Sequence, residues 1–257
     1  MRGVSLGGAA RWLRTFLMDP SDRFLWKVPG VIHVGANTGQ ERIRYNDRLL
    51  AVVWIEANPE AFRQLEANIA PFPAQRALQA LLADEPGKRM KLHVSPGDGA
   101  ASSLFEIKDA RRIWPELAYE KTVELASQTL PQLLSQAGIN PEDYPALILD
   151  TQGSELMILK GAEPIISRFH YIKTEAANFE AYKGCCRADE IRDFLRGHGF
   201  VETDCTRFAA ADDQHAYFDL VFRRRDFPSW LPCRNPFKGR PSPPAMNSPS
   251  CNAHKNH

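Results

Sequence analysis

The stretch VIHVGANTGQE, residues 31–41, constrains this chain most. An apolar run enters a turn of small residues and continues into a helical pattern, which is how a strand-helix-strand unit begins. The same alternation of short apolar runs with amphipathic segments continues to about residue 225. It predicts an α/β fold with a doubly wound, mostly parallel sheet. Expected strands are VIHV, AVVWI at 51–55, a third at 77–82, YPALILD at 144–150 and YIKTEAA at 171–177. A helix is expected from about Gln40. Asn58 and Pro59 read as the cap and first residue of another, with Phe62, Leu65 and Ile69 facing the sheet. Residues 89–95 and 121–126 alternate as an inserted β-hairpin region around the polar loop GDGAASSLFEI. TQGSELMILKG reads as turn and helix with Gly161 at its cap, and 187–197 as the last helix. FVETDC and YFDLVFRRR form a closing pair that puts one antiparallel strand on the sheet.

Composition narrows the function classes. With 32 Lys and Arg against 31 Asp and Glu, the formal charge is +1, so no long-range field draws nucleic acid or an anionic membrane. No apolar run reaches the roughly 20 residues that span a bilayer. The expectation is a cytoplasmic protein acting on a small molecule or glycan, with its oligomeric state open. Five cysteines without a C-x-x-C pair argue against a disulfide framework or structural zinc. Three regions are expected: a helical extension over 1–29, amphipathic around Trp12, Leu13, Phe16 and Leu17; one domain over 30–227; and a disordered Pro/Ser/Asn-rich tail over 228–257.

The glycine loop does not match a dinucleotide fingerprint. That motif wants a third glycine, whereas Gly35 and Gly39 stand here with Asn37 between them. Glu56, with Ala57 beside it, falls at a strand end about twenty residues beyond Gly35, where an acidic residue meets ribose hydroxyls. An ionised carboxylate only accepts, so it can take both protons of a cis-diol. Asp84, ending the third strand, is a candidate acceptor for an adenine amino group; the alternative is a turn residue of DEPG. Together these point to a nucleoside carrying a short charged appendage, S-adenosylmethionine more than NAD.

VIHVGANTGQE, WIEANPEAFRQLEANI, LLADEPG, the SSLF loop and above all LILDTQGSELMILKGA resemble the FkbM-type S-adenosylmethionine-dependent methyltransferases over about residues 30–222. The resemblance implies a class I methyltransferase fold, Rossmann-like, with seven strands of which the seventh is antiparallel. It implies O-methylation of a sugar or other polyol hydroxyl. The cofactor set it suggests is His33, Gly35, Asn37, Gly39, Glu56, Ala57, Asp84, Ser103, Asp150 and Gln152. Three positions depart from the family pattern: His33 where an acidic residue is usual, Pro131 in TLPQLL, and Gln152 where many members carry Glu. A buried neutral histidine is the alternative reading of His33.

A sugar hydroxyl needs help to lose its proton, from a base or a metal ion. Asp150 and Glu175 are the catalytic candidates, ending two apolar strands; a helix cap is the other reading of Asp150. Fold analogy adds Mg2+ held by Asp150, Glu175 and Asn178. Glu155 is expected to serve the helix N-terminus. Ser102, Lys173, Tyr182, KGCCR and RFAAADDQHAY are candidates to shape the acceptor pocket. Two other classes stay open: a cofactor-binding module without turnover, motivated by His33 and Pro131, and an NAD-dependent oxidoreductase.

Overall fold

A computed structural model describes residues 20–227. Residues 1–19 of the expected helical extension and the tail from 228 onward lie outside the described residues. Of the extension, Pro20–Lys27 is a stretch of 3₁₀ helix that buries Ser21, Asp22, Phe24 and Leu25 against the domain.

β1 (Gly30–Val34) and β7 (Ala146–Leu149) are buried along their whole length and form the middle of the sheet. Such continuous apolar runs suit a parallel sheet covered on both faces. β2 (Ala51–Glu56) and β3 (Gln75–Gln79) extend it to one side, and β8 (Tyr171–Ala177), β10 (Ala216–Arg224) and β9 (Phe200–Ala210) to the other. The order is β3-β2-β1-β7-β8-β10-β9, with β10 antiparallel to both its neighbours and the rest parallel. This is the doubly wound, seven-stranded class I methyltransferase arrangement. The chain leaves β1 toward one edge and returns beside it as β7, so a crevice opens above their carboxyl ends.

Strand alternation sorts the core into two layers. Ile32, Val34, Leu147, Leu149 and Ile172 face helices α3 (Leu130–Gln136), α4 (Glu155–Gly161) and α5 (Ala188–Gly197). Val31, Val52, Trp54 and Ile148 face the 3₁₀ stretch, α1 (Arg42–Asp47) and α2 (Pro59–Ile69), where Leu65 and Ile69 pack and Phe62 is half-buried. Asn58 caps α2 by accepting from the Glu60 amide at 3.1 Å. Pro131 occupies the first turn of α3, where its missing N–H costs nothing.

Several expectations are corrected. The strand expected at 77–82 divides: β3 ends at Gln79, and β4 (Leu81–Leu82) pairs instead with β6 (Lys121–Gln128) in a separate three-stranded sheet. β5 (Arg89–Val94) and β6 form the inserted antiparallel pair. The first helix starts at Arg42 and is only six residues long. Gly161 is not a left-handed cap but the last residue of α4, with Ala162 following as cap. A Cβ on it would lie 2.1 Å from the Ala83 carbonyl oxygen, so glycine there lets the helix approach the chain leaving β4. Among the described residues no helix is long and apolar enough to cross a membrane.

That close approach is testable. Gly161→Ala forces α4 away from the backbone at Ala83 and should cost about 2–3 kcal/mol. A thermal melt should show the midpoint falling by roughly 5–10 °C; an unchanged midpoint would mean that the contact yields at no cost.

Candidate functional site

Above the carboxyl ends of β1, β2 and β7 lies a cleft of about 570 Å³, bounded by Gly35, Asn37, Glu56, Ala57, Asp150 and Gln152. Its floor is set by glycine. Gly35 has φ +79°, its N–H donates to the Ile55 carbonyl at 3.0 Å, and a Cβ would come within 1.8 Å of the Asp150 carbonyl oxygen. Only a residue without a side chain lets the loop after β1 lie directly on the end of β7.

Glu56 holds this loop from the adjacent strand. One carboxyl oxygen accepts from the Asn37 N–H at 2.7 Å, the other from the Asn58 N–H at 2.7 Å. Burial pushes its pKa up, and these backbone donors pull it back. Each carboxyl oxygen keeps a lone pair beyond those bonds. Asn37 itself sits at φ +46°, and its side-chain oxygen and nitrogen are buried without a hydrogen-bond partner among the described residues. A buried amide with neither end paired costs roughly 1–3 kcal/mol per group, a penalty a bound polar ligand would remove. One wall of the cleft is apolar: Leu81, Leu82, Leu92 and Leu104 with Ile158.

Asp150 lies where two cavities meet. It lines the cleft and also a polar cavity of about 450 Å³ beneath it, which contains His33, Lys173 and Glu175. In that cavity the cations are already engaged. Lys173 Nζ lies 3.1 Å from Asp22, 3.2 Å from Asp219 and 2.9 Å from the Ser21 hydroxyl, and Arg44 pairs with Asp22. Among the described residues, Asp150 and Glu175 therefore face each other's charge without an ion-pair partner of their own. Burial, then the Gln152 hydrogen bond in opposition, then repulsion from Glu155 set the Asp150 carboxyl above the usual carboxylate range. Burial followed by repulsion from Asp150 does the same, more strongly, to Glu175.

Four members of the expected cofactor set lie off the cleft. His33 is on the face of β1 opposite the α3–α5 layer, stacked on Trp54 at 5.0 Å, with Nδ1 3.0 Å from the Tyr45 hydroxyl. Burial lowers its pKa and keeps the ring neutral. Asp84 is exposed and lies 3.7 Å from Lys88, because β4 departs into the second sheet before the chain reaches that position. Gly39 lies in the turn before α1 and packs on α2, where a Cβ would meet Leu65 at 2.7 Å. Ser103 backs the site: its hydroxyl donates to the Gln152 carbonyl at 2.7 Å, while its neighbour Ser102 lines the cleft.

The proposed Mg2+ donor set is not assembled. Asn178 is exposed, and its amide accepts from Ala216 N–H at 2.9 Å and donates to the Asp213 carbonyl at 3.1 Å, closing the late hairpin. Among the described residues no three His, Cys, Asp or Glu side chains form a metal-ligating group. Glu155 gathers the Thr151 and Gly153 amides at 2.9–3.1 Å and so holds the turn before α4. The apolar wall escaped sequence reading because its leucines come from β4, β5 and the inserted loop. The apolar Leu104 within a polar loop was its one local trace.

The model of the methyltransferase FkbM domain matches residues 33–202. A 2-O-methyltransferase, NoeI, of Sinorhizobium fredii (strain NBRC 101917 / NGR234) is 25% identical over 175 residues, covering 65% of this chain and 71% of that protein. Among solved structures, the precorrin-6Y C5,15-methyltransferase of Geobacter metallireducens GS-15 is 12% identical, with 86% of this chain and 90% of that one covered at a TM-score of 0.43. The magnesium protoporphyrin IX methyltransferase of Synechocystis PCC 6803, solved with bound SAM, is 12% identical, with 85% and 77% covered at a TM-score of 0.40.

The raised carboxyls give a stability prediction. The folded chain holds the Asp150 and Glu175 protons more tightly than the unfolded chain. Their contribution is therefore fully present below the ordinary carboxylate range near pH 4 and is lost as pH rises through the raised values. In urea titrations from pH 5 to 9, Glu175→Gln should lose less stability than the wild type, by roughly 1 kcal/mol at the alkaline end. Parallel curves for the two proteins would mean that Glu175 ionises freely.

Proposed function

This chain belongs to the FkbM methyltransferase family, and on that premise we propose that it methylates a hydroxyl of a sugar or glycan-linked small molecule, using S-adenosylmethionine as donor. The observation that carries the reading is the position of Asp150, shared by the cleft that holds Glu56 and the polar cavity that holds Glu175. The relative named as a 2-O-methyltransferase supports oxygen as the acceptor atom.

The residues of the cleft fit the donor. Glu56 keeps lone pairs for ribose hydroxyls after accepting from Asn37 and Asn58, and the leucine wall suits an adenine ring. The unpaired amide of Asn37 and the glycine floor at Gly35 suit a polar group lying close to backbone. When bound, the donor supplies a sulfonium methyl carbon open to displacement. What the chain contributes is alignment and charge placement. Asp150 accepts the acceptor's hydroxyl proton as the oxygen attacks. Its raised proton affinity brings it closer to neutrality, where a base works best. Glu175, held more strongly toward its protonated form, can donate a hydrogen bond to the acceptor at neutral pH.

The departures that favoured a module without turnover have structural explanations. His33 completes an aromatic stack with Trp54, and Pro131 opens α3. Neither removes a group from the cleft.

Two measurements test the reading. In calorimetric titration with S-adenosylhomocysteine, Glu56→Ala should lose about 10- to 100-fold in affinity, the worth of hydrogen bonds to a charged acceptor. Unchanged affinity would remove Glu56 from the ribose site. With labelled donor and a polyol acceptor, Asp150→Asn should keep S-adenosylhomocysteine binding and lose about 10²- to 10⁴-fold in turnover. Full turnover would sink Asp150 as the base.

A further inference from the structure

We propose that Tyr182 is a positioning residue, acting on Asp150 through the side chain of Gln152. The inference rests on the reading of Asp150 as the base. Tyr182 comes from the segment after β8, far from Asp150 in sequence, and its ring is buried among Phe179, Ala181, Cys185 and Tyr217. Its hydroxyl donates to Gln152 Oε1 at 3.0 Å, and Gln152 Nε2 donates to Asp150 Oδ1 at 2.9 Å.

The direction of these bonds follows from chemistry. An amide oxygen only accepts, so the phenol must donate to it. That choice leaves the amide's N–H end facing the carboxylate. Were the amide reversed, its oxygen would oppose Asp150 and its nitrogen would meet the phenol oxygen. Ionised Asp150 can face only the N–H end of the amide, and the phenol, donating to the oxygen end, holds the side chain in that orientation. Burial favours the protonated phenol, so the donor persists at all ordinary pH.

The backbone is built to hold Gln152 in this place. Gln152 has φ +54°, in the left-handed region that a residue of its kind seldom adopts. Ser103 holds its carbonyl at 2.7 Å, and Glu155 gathers the amides on either side of it. A Cβ on the following Gly153 would come within 2.8 Å of the Cys185 Cβ and 3.4 Å of the Tyr182 ring, so the segment carrying Tyr182 lies directly on this turn. Tyr182, Gln152 and Glu175 also line one narrow crevice, so the phenol and both ends of this arrangement share a wall of the site. Filling that core would need only the ring; the bond to Gln152 needs the hydroxyl.

The experiment is a ¹³C NMR titration of the full chain labelled at aspartate carboxyl carbons, with the Asp150 resonance assigned by its loss in Asp150→Asn. Tyr182→Phe should move the Asp150 midpoint upward by about half to one pH unit, the worth of one hydrogen bond. Gln152→Leu should move it similarly, and the double variant should add nothing to Gln152→Leu alone. A purely structural tyrosine would lower the melting temperature and leave the midpoint in place, and that result would overturn the proposal. Should Tyr182→Phe fail to fold, the Gln152→Leu midpoint decides: unmoved, it too overturns the proposal. The base reading fails separately, through undiminished methyl transfer by Asp150→Asn, whatever the midpoints do.

Discussion

The site depends on one buried carboxylate. Glu56 ends β2 and accepts the Asn37 amide with one oxygen and the Asn58 amide with the other. The first bond holds the loop after β1, the second the start of α2. Two connections that would otherwise move independently are thereby fixed to a single strand end, and amides that would be orphaned at these turns are satisfied. The same charge faces the cleft. The carboxylate that organises the loop thus also forms part of the cleft's lining, fixed in place by the bonds it makes to both connections.

Charge is distributed beneath the cleft with a clear division. Lys173 and Arg44 are matched against Asp22 and Asp219, a pairing that fastens the 3₁₀ stretch at 20–27 to the middle of the sheet. Asp150 and Glu175 receive no such partner. Removing one charge from a buried pair is expensive, and so is burying two like charges together. The protein bears the second cost at the point where the cleft meets the polar cavity, and the result is a pair of carboxyls whose proton affinities are both raised. Neutral Gln152 at the turn, in place of an acidic side chain, adds no further negative charge beside Asp150 and offers it a donor instead.

How far local sequence reaches is plain from particular residues. Gly35 and Glu56 were readable because their roles are local to one strand-helix-strand unit: a turn that excludes a side chain, and a carboxylate at a strand end. Asn58 and Pro59 were readable for the same reason. Asp84 was misplaced because β4 exchanges one sheet for another after β3, a choice decided by a pairing with β6 some forty residues away. Strand propensity cannot see that partner. His33 was assigned a cofactor contact by its position in the motif, but the alternation of β1 turns it toward Trp54 and Tyr45. Gly161 carried a true signal with another cause, a close approach of backbone in place of a left-handed cap.

The sequence by itself determined the alternating α/β plan, the glycine loop and the acidic strand ends, because hydrophobic period and turn chemistry act over a few neighbouring residues. Tertiary structure alone decided which carboxylates would be paired and which left without a cation. It also built the leucine wall from the inserted sheet, and brought the Tyr182 hydroxyl to Gln152. Each of these depends on burial and on the meeting of segments distant in the chain. The dielectric around a side chain and the identity of its partner are properties of the folded interior, and they are written in no single stretch of residues.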